Sequence, residues 1–368
     1  MFLEQSKVFL FSSPSRWDLL IYRHIRIIHV IKISLALLIA HLIALIFAMP
    51  NLAWTSVTIV IIMLTLPQVG GTLEKSLQRV IGTLCGAAYG ILILFVSHEP
   101  LWQGTLALFG IAFVTWRASG RMSYAYLVAG FTMMIVLDGG ASGIEAAIWR
   151  TITILLGCCI AIGVSQLVLP LRARNEWRWL LADTLSGMAH LWQGQLSPNV
   201  HKLQKAHVKI QGLRRKVLRQ RGMINSVCME SRHLRASALH LTAMVEAQDR
   251  CLLLLELLAQ TRWETQESDE AIRAHYAMSL RARELGELLS SWAIVCSGHS
   301  ASLPASTSAE PAELKHFLSM HLHQHPSESL NPYGYSWLIY QTSLQLQEID
   351  KLLRHLACAP DSSGPHLN

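Results

Sequence analysis

Six apolar runs follow one another in the first 170 residues, and Lys and Arg occur in every second gap between them. A helix that crosses a bilayer needs roughly 20 mostly apolar residues, because lipid offers the backbone no hydrogen-bond partners. The runs cover 33–49 (stopped by Pro50), 52–69, 80–96, 101–116, 122–137 and 147–169 (closed by Pro170). Lys7, Arg16, Arg23, Arg26 and Lys32 precede the first run. Lys75 and Arg79 fall in the gap 70–79, Arg117 and Arg121 in 117–121, and Arg172, Arg174 and Arg178 follow the sixth run. The gaps 50–51, 97–100 and 138–146 hold no Lys or Arg. Cytoplasmic loops collect the basic residues, so this alternation predicts six transmembrane helices with both termini in the cytoplasm.

Charge divides the chain in two. Residues 1–170 carry ten Lys/Arg and six Asp/Glu, whereas 171–368 carry twenty-one and eighteen. No run in the second half is long enough to span, so an all-α membrane protein followed by a cytoplasmic α-helical domain is the expected fold class. The +7 net charge then belongs to basic cytoplasmic edges rather than to a nucleic-acid binder, for which no motif is present. The basic start of the chain has no small-residue cleavage site after it, so it does not read as a cleavable signal. Cys85, Cys158 and Cys159 sit inside apolar runs and read as small membrane-buried hydrophobes in a reducing setting.

The expected segments are a cytoplasmic or interfacial helix over 1–32, the membrane domain over 33–170 and a helical domain over 171–296. A linker and His-rich stretch over 297–330, a last helix over 331–358 and a tail over 359–368 complete them. Within the helical domain, residues 201–222 hold eight Lys/Arg and no acid. They suit either anionic lipid and solute or a solvated face neutralised by neighbouring acidic helices. His316, His321, His323 and His325 lack a ligand spacing, and no metal site or cofactor is assigned. Asn331-Pro332-Tyr333-Gly334 reads as a turn. Phosphate loops, nucleophile elbows and two-His zinc motifs are absent from the sequence, so no enzyme activity and no ATP-driven pumping are expected.

Charged and small residues in the membrane half are the functional candidates. Gly82, Gly86 and Gly90 recur every four residues, a groove for close approach of a neighbouring helix or of a second subunit. Lys75 and Arg79 stand at the cytoplasmic mouth of the third run, as an anion trap or as snorkelling anchors. Arg150 stands near the outer start of the sixth, as a second anion contact or paired with Glu145 or Asp138. A guanidinium suits carboxylates because it stays charged and grips with two bonds. His41 lies mid-run in the first span, as a hydrogen-bonded core residue or a proton relay. Trp54, Thr55, Ser56 and Thr58 cluster in the second, the hydroxyls being expected on their own helix carbonyls.

The stretch Tyr22-Arg23-His24 through Arg26, the first run's end at Met49-Pro50, Trp54, and Arg79-Val80-Ile81-Gly82-Thr83 with Gly86 resemble the fusaric acid resistance and aromatic acid exporter superfamily. Pro332-Tyr333-Gly334-Tyr335-Ser336-Trp337-Leu338 resembles the end of its short single-unit bacterial members. The resemblance implies a transporter of small organic anions, aromatic carboxylic acids among them, embedded in inner-membrane lipid as a homodimer and driven by the proton gradient. Of the candidate substrate contacts, the resemblance singles out Arg79 and includes Trp54, while Lys75 and Arg150 rest on charge and position alone. A passive anion channel and a non-transporting scaffold with a partner-binding domain are the competing readings.

Overall fold

The computed structural model describes residues 24–47, 52–65, 68–96, 99–138, 143–196, 206–230, 232–261, 269–299, 303–304 and 330–358, and every regular element among them is helical. These residues fall into two compact units that meet at Ala173/Arg174. The linker, His-rich stretch and tail, and most of residues 1–32, lie outside the described residues.

The first unit holds α1 (Ile25–Phe47), α2 (Leu52–Thr65), α3 (Val69–Val96), α4 (Pro100–Arg117), α5 (Ser123–Asp138) and α6 (Gly143–Leu167). A single 3-10 turn, Gly120–Met122, joins α4 to α5. By length and composition, Ile25–Phe47, Val69–Val96 and Ile148–Leu167 can cross a membrane; Ala53–Leu64 and Ser123–Asp138 are shorter apolar helices. Large apolar side chains point outward: Leu38, Leu45, Phe47, Leu108, Phe109 and Trp116 are exposed, whereas Ala36, Ala40, Gly82, Gly86 and Ala161 are buried. Small residues inside and large ones outside invert the pattern of a water-soluble core and allow close helix approach.

Helix α3 packs most extensively on α5, and α6 packs on α1, α2 and α3. The reason is the glycine stripe. A Cβ at Gly82 would lie 2.4 Å from the Ala125 carbonyl oxygen, one at Gly86 2.3 Å from that of Ala129, and one at Gly90 2.9 Å from Val136 Cβ. The glycine face therefore meets α5 of the same chain. Gly157 does the same for α6, where a Cβ would lie 2.9 Å from the Thr55 carbonyl oxygen on α2.

Four boundaries differ from expectation. The first helix does not start at 33: α1 begins at Ile25, so residues 25–32 extend it. Residues 70–79 are not a loop: α3 starts at Val69, whose N–H donates to the Leu171 carbonyl at 2.9 Å. Hydropathy cut the run at Val80 because Gly70, Gly71, Thr72, Glu74, Lys75 and Gln78 score as polar. Burial of Gly70, Gly71, Thr72 and Gln78 in the bundle supplies what their propensity lacks. Where α6 ends, Leu169 adopts a positive φ of 44°, a left-handed conformation that is costly for a leucine, and the chain turns there. In the second unit Asn331 to Gly334 is not a turn but the start of a helix, since Pro332 is tolerated in a first turn where its N–H has no helical partner.

The second unit holds α7 (Ala173–Leu196), α8 (Ala206–Glu230), the short α9 (Arg232–Ala236), α10 (Ala238–Thr261), α11 (Asp269–Ser297) and α12 (Leu330–Cys358). Its core buries Trp177, Trp192 and Trp292 with Leu185, Leu241, Leu252 and Leu353. Thr184, Gln220 and Gln248 form a closed hydrogen-bonded set across α7, α8 and α10, which satisfies polar groups that would otherwise be costly to bury. Half of the described basic residues of this stretch on α8 are paired: Arg214 with Glu256 at 3.0 Å, Lys216 with Asp183, and Arg219 with Glu176. For these residues the neutralised face is the one observed; Lys202 and Lys205 lie outside the described residues.

Candidate functional site

A stripe of small and polar residues runs down the buried face of α3: Thr72, Ser76, Arg79, Thr83, Gly86, Gly90 and Ile93 are all buried. The spacing alternates four and three, so the stripe keeps to one face of a helix. The glycine motif is its upper part. Continuing the same spacing backward from Gly86 gives Thr83 and Arg79, a signal in the sequence that the hydropathy boundary hid.

Arg79 is only 3% exposed. With a rise of about 1.5 Å per residue, it sits some two to three turns into α3. Its Nη1 donates to the Tyr124 hydroxyl on α5 at 3.1 Å, and its Nε is buried with no partner. Lys75 Nζ lies 4.8 Å over the same tyrosine ring, on the face of α3 that a four-residue spacing shares with Arg79. Tyr124 was not among the sequence candidates.

Arg150 on α6 is also 3% exposed. Its guanidinium lies 3.7 Å from the centroid of Trp54 on α2 and 5.1 Å from that of Phe131 on α5, and those rings meet edge to face at 6.2 Å. Its Nε, Nη1 and Nη2 are all buried without a hydrogen-bond partner. Neither Glu145 nor Asp138 holds it. Arg79 meets α5 at Tyr124 and Arg150 meets it at Phe131, seven residues further along, so both guanidiniums lie in the buried interior of the bundle. Trp54 belongs there through its stacking on Arg150.

Two guanidiniums in one apolar interior make a site with a definite deficit. Each keeps its charge, each loses hydration at a cost of several kcal/mol, and no carboxylate pairs with either among the described residues. Cation–π contact with Trp54 and Phe131 returns about 2 kcal/mol at best. The hydroxyls of Thr58 on α2, Ser76 and Thr83 on α3 and Thr132 on α5 are likewise buried without partners.

The other candidates fall elsewhere. His41 is exposed on the outer face of α1, beside Ser34, Leu37 and Ser56, so it is not a core histidine. Thr55 donates to the Thr153 carbonyl on α6 at 3.0 Å, across helices and not to its own. No group of three or more metal-binding side chains occurs among the described residues. In the second unit burial pushes the Cys251 thiol up to about 12 and raises Cys296 as well, the charge of Arg178 working against the latter. Both are packing thiols, not nucleophiles.

A family model described as the fusaric acid resistance protein family matches residues 26–364. Inner membrane protein YeeA of Escherichia coli strain K12 is 27% identical over 354 residues, which cover 93% of this chain and 97% of that protein. Inner membrane protein YccS of the same organism is 30% identical over 144 residues, 39% of this chain and 20% of that protein. Uncharacterized transporter YdhK of the same strain is 28% identical over 131 residues, 33% of this chain and 19% of that protein.

Proposed function

We propose that this chain, which belongs to the fusaric acid resistance protein family, is an inner-membrane transporter that exports small organic anions. Aromatic carboxylic acids are the substrate class and the proton gradient is the energy source. The observation that carries the reading is the pair of buried guanidiniums, Arg79 and Arg150, with unpartnered N–H groups. In this reading the unpartnered guanidinium N–H groups bind the carboxylate, and the aromatic body of the substrate lies against the rings of Trp54 and Phe131. Lys75 is the first contact for an anion arriving from the cytoplasm. The names of YeeA, an inner membrane protein, and YdhK, a transporter, support location and role.

In this reading α1 to α6 are six spans, both termini and residues 171–368 are cytoplasmic, and two copies form a homodimer. Helices α2, α4 and α5 have 14, 18 and 16 residues, or roughly 21–27 Å at 1.5 Å per residue. That is less than the ~30 Å hydrocarbon thickness, a mismatch met by local thinning of the bilayer.

The test is flux of labelled 4-hydroxybenzoate in proteoliposomes, for wild type and for Arg79→Lys, Arg150→Lys and Arg150→Gln at matched protein levels. Lysine keeps the charge but loses the planar fork. Loss of a charge-assisted bond is worth roughly 1.5–3 kcal/mol, a tenfold or larger weakening of half-saturation. Curves that coincide for all four proteins remove both arginines from the path. Flux indifferent to an imposed pH gradient makes the protein a channel, and no flux at all favours the scaffold.

A further inference from the structure

The buried face of α1 is a second stripe, Ile28, Lys32, Ala36, Ala40 and Ala44, each four residues from the next. The three alanines let α2 and α6 approach closely, and their burial needs no special account. Lys32 does. Its side chain is 1% exposed, and its Nζ reaches the Ser165 carbonyl on α6 at 3.4 Å, at the long end for a hydrogen bond. The Ser165 hydroxyl in turn donates to Thr72 on α3 at 3.4 Å, and Thr72 donates to the Gln68 carbonyl. Every group that meets the amine from α6 and α3 is therefore neutral. The titratable neighbour on its own helix is His29, one turn earlier, on which the Lys32 charge acts. The His29 ring bonds the backbone of Leu64 on α2, and its Nδ1 is buried with no partner. Among the described residues no carboxylate pairs with either group.

Lysine differs from the two arginines in one respect. An amine gives up its proton and a guanidinium does not. Lys32 is a packed, neutral-lined amine with an open imidazole nitrogen beside it on the same helix face. We propose that Lys32 is the proton-carrying residue of this protein, with His29 as its relay to the cytoplasm. The proposal rests on the export reading. In one half of the cycle the N–H bond at Lys32 Nζ breaks and an N–H bond forms at His29 Nδ1, which then releases the proton to cytoplasmic water. In the other half the neutral amine takes up a proton entering from the opposite side. Helix α6 carries both Ser165 and Arg150, and α3 both Thr72 and Arg79, so the same two helices hold the proton group and the anion group.

The experiment separates gradient-free exchange of labelled 4-hydroxybenzoate from uptake driven by an imposed pH gradient, in proteoliposomes of wild type, Lys32→Arg, Lys32→Met and His29→Asn. Lys32→Arg is expected to keep exchange within about twofold of wild type while losing the stimulation by the gradient. Lys32→Met, an unbranched apolar side chain of similar length that suits the alanine stripe, is expected to do the same. His29→Asn is expected to slow driven uptake more than exchange. Undiminished gradient stimulation in Lys32→Arg overturns the proposal and leaves the export reading standing. Equal loss of exchange and driven uptake in both Lys32 variants also overturns it, because it makes Lys32 a structural or substrate contact. Absence of wild-type flux removes the export reading and this proposal with it.

Discussion

Replacing Gly86 by alanine tests the helix contact on which the site depends. The added Cβ would lie 2.3 Å from the Ala129 carbonyl oxygen, with the Ala129 Cα at 2.9 Å and its carbonyl carbon at 3.0 Å. A relaxed carbon–oxygen contact is about 3.3 Å or more, so α5 must retreat by about 1 Å. All three atoms are backbone, so no rotamer change relieves the clash. A retreat of that size forfeits a quarter to a half of the dispersion energy of each contact it opens, along the most extensive helix pair of the bundle. Overpacking of this kind costs about 1–3 kcal/mol, and the backbone setting puts Gly86 at the upper end. Alanine also gains about 1 kcal/mol of helix propensity over glycine, which masks part of the loss. Gly104→Ala on α4 is the matched control, because its Cβ meets nothing within 4 Å while the propensity gain is the same. The difference between the two variants therefore isolates packing. At about 2–4 °C per kcal/mol, Gly86→Ala should melt roughly 6–12 °C below Gly104→Ala. The assay is the fraction remaining monodisperse in detergent after heating. Overlapping melting curves would refute the contact and the placement of α5 against α3.

Two further predictions are independent of transport. Reporter fusions after residues 67, 119 and 200 should read as cytoplasmic and those after 98 and 141 as periplasmic; a reversed reading at 119 breaks the six-span arrangement. In the second unit, Asp350 accepts from Trp292 Nε1 at 2.6 Å and from Arg354 Nε at 2.8 Å. Asp350→Ala removes the acceptor of the buried indole N–H, at a cost of about 1–3 kcal/mol. Asp350→Asn costs less because its amide oxygen still accepts. Hydrogen exchange of α11 and α12 should rank wild type, asparagine and alanine in that order, and equal protection in all three would show that the bond is not made.

Helix type and the approximate position of most helices were legible because apolar length and Pro punctuation are strong local signals. Burial of the charged residues was not. Arg79 and Arg150 lie 71 positions apart in the sequence, and the packing of α3 on α6 is what helps bury both in one bundle. A hydropathy boundary treats every polar residue as a sign of water, which in a bundle of this kind is the wrong inference. Thr72, Ser76 and Arg79 are polar and buried, while Leu77 and Ile81 on the opposite face of α3 are apolar and exposed. The periodicity of small and polar residues held the information instead. On α3 it runs through Arg79, on α1 through Lys32, and on α6 through Arg150, Ile154, Ala161 and Ser165. Tyr124 carried no such mark, because an aromatic residue at the start of a helix has many ordinary uses.

The balance of buried charge in the first unit points one way. Lys32, Arg79 and Arg150 are buried. Of the described acids in this unit none is buried: Glu74 is half-buried, and Glu99, Asp138 and Glu145 are exposed. A bundle selected for stability alone would gain by exchanging such cations for apolar residues of similar volume, since a buried charge without its partner costs several kcal/mol. In the export reading a mobile anion supplies the missing negative charge for the two arginines, and the proposed proton exchange at Lys32 adjusts the third cation. Neutralising Lys32 alone, as in Lys32→Met, should therefore stabilise the anion-free protein, whereas Arg150→Gln should stabilise it and abolish the further gain on adding 4-hydroxybenzoate. Thermal midpoints with and without the acid separate these outcomes. A wild type that gains nothing from the anion, together with a destabilised Lys32→Met, would show that the buried cations are satisfied within the protein.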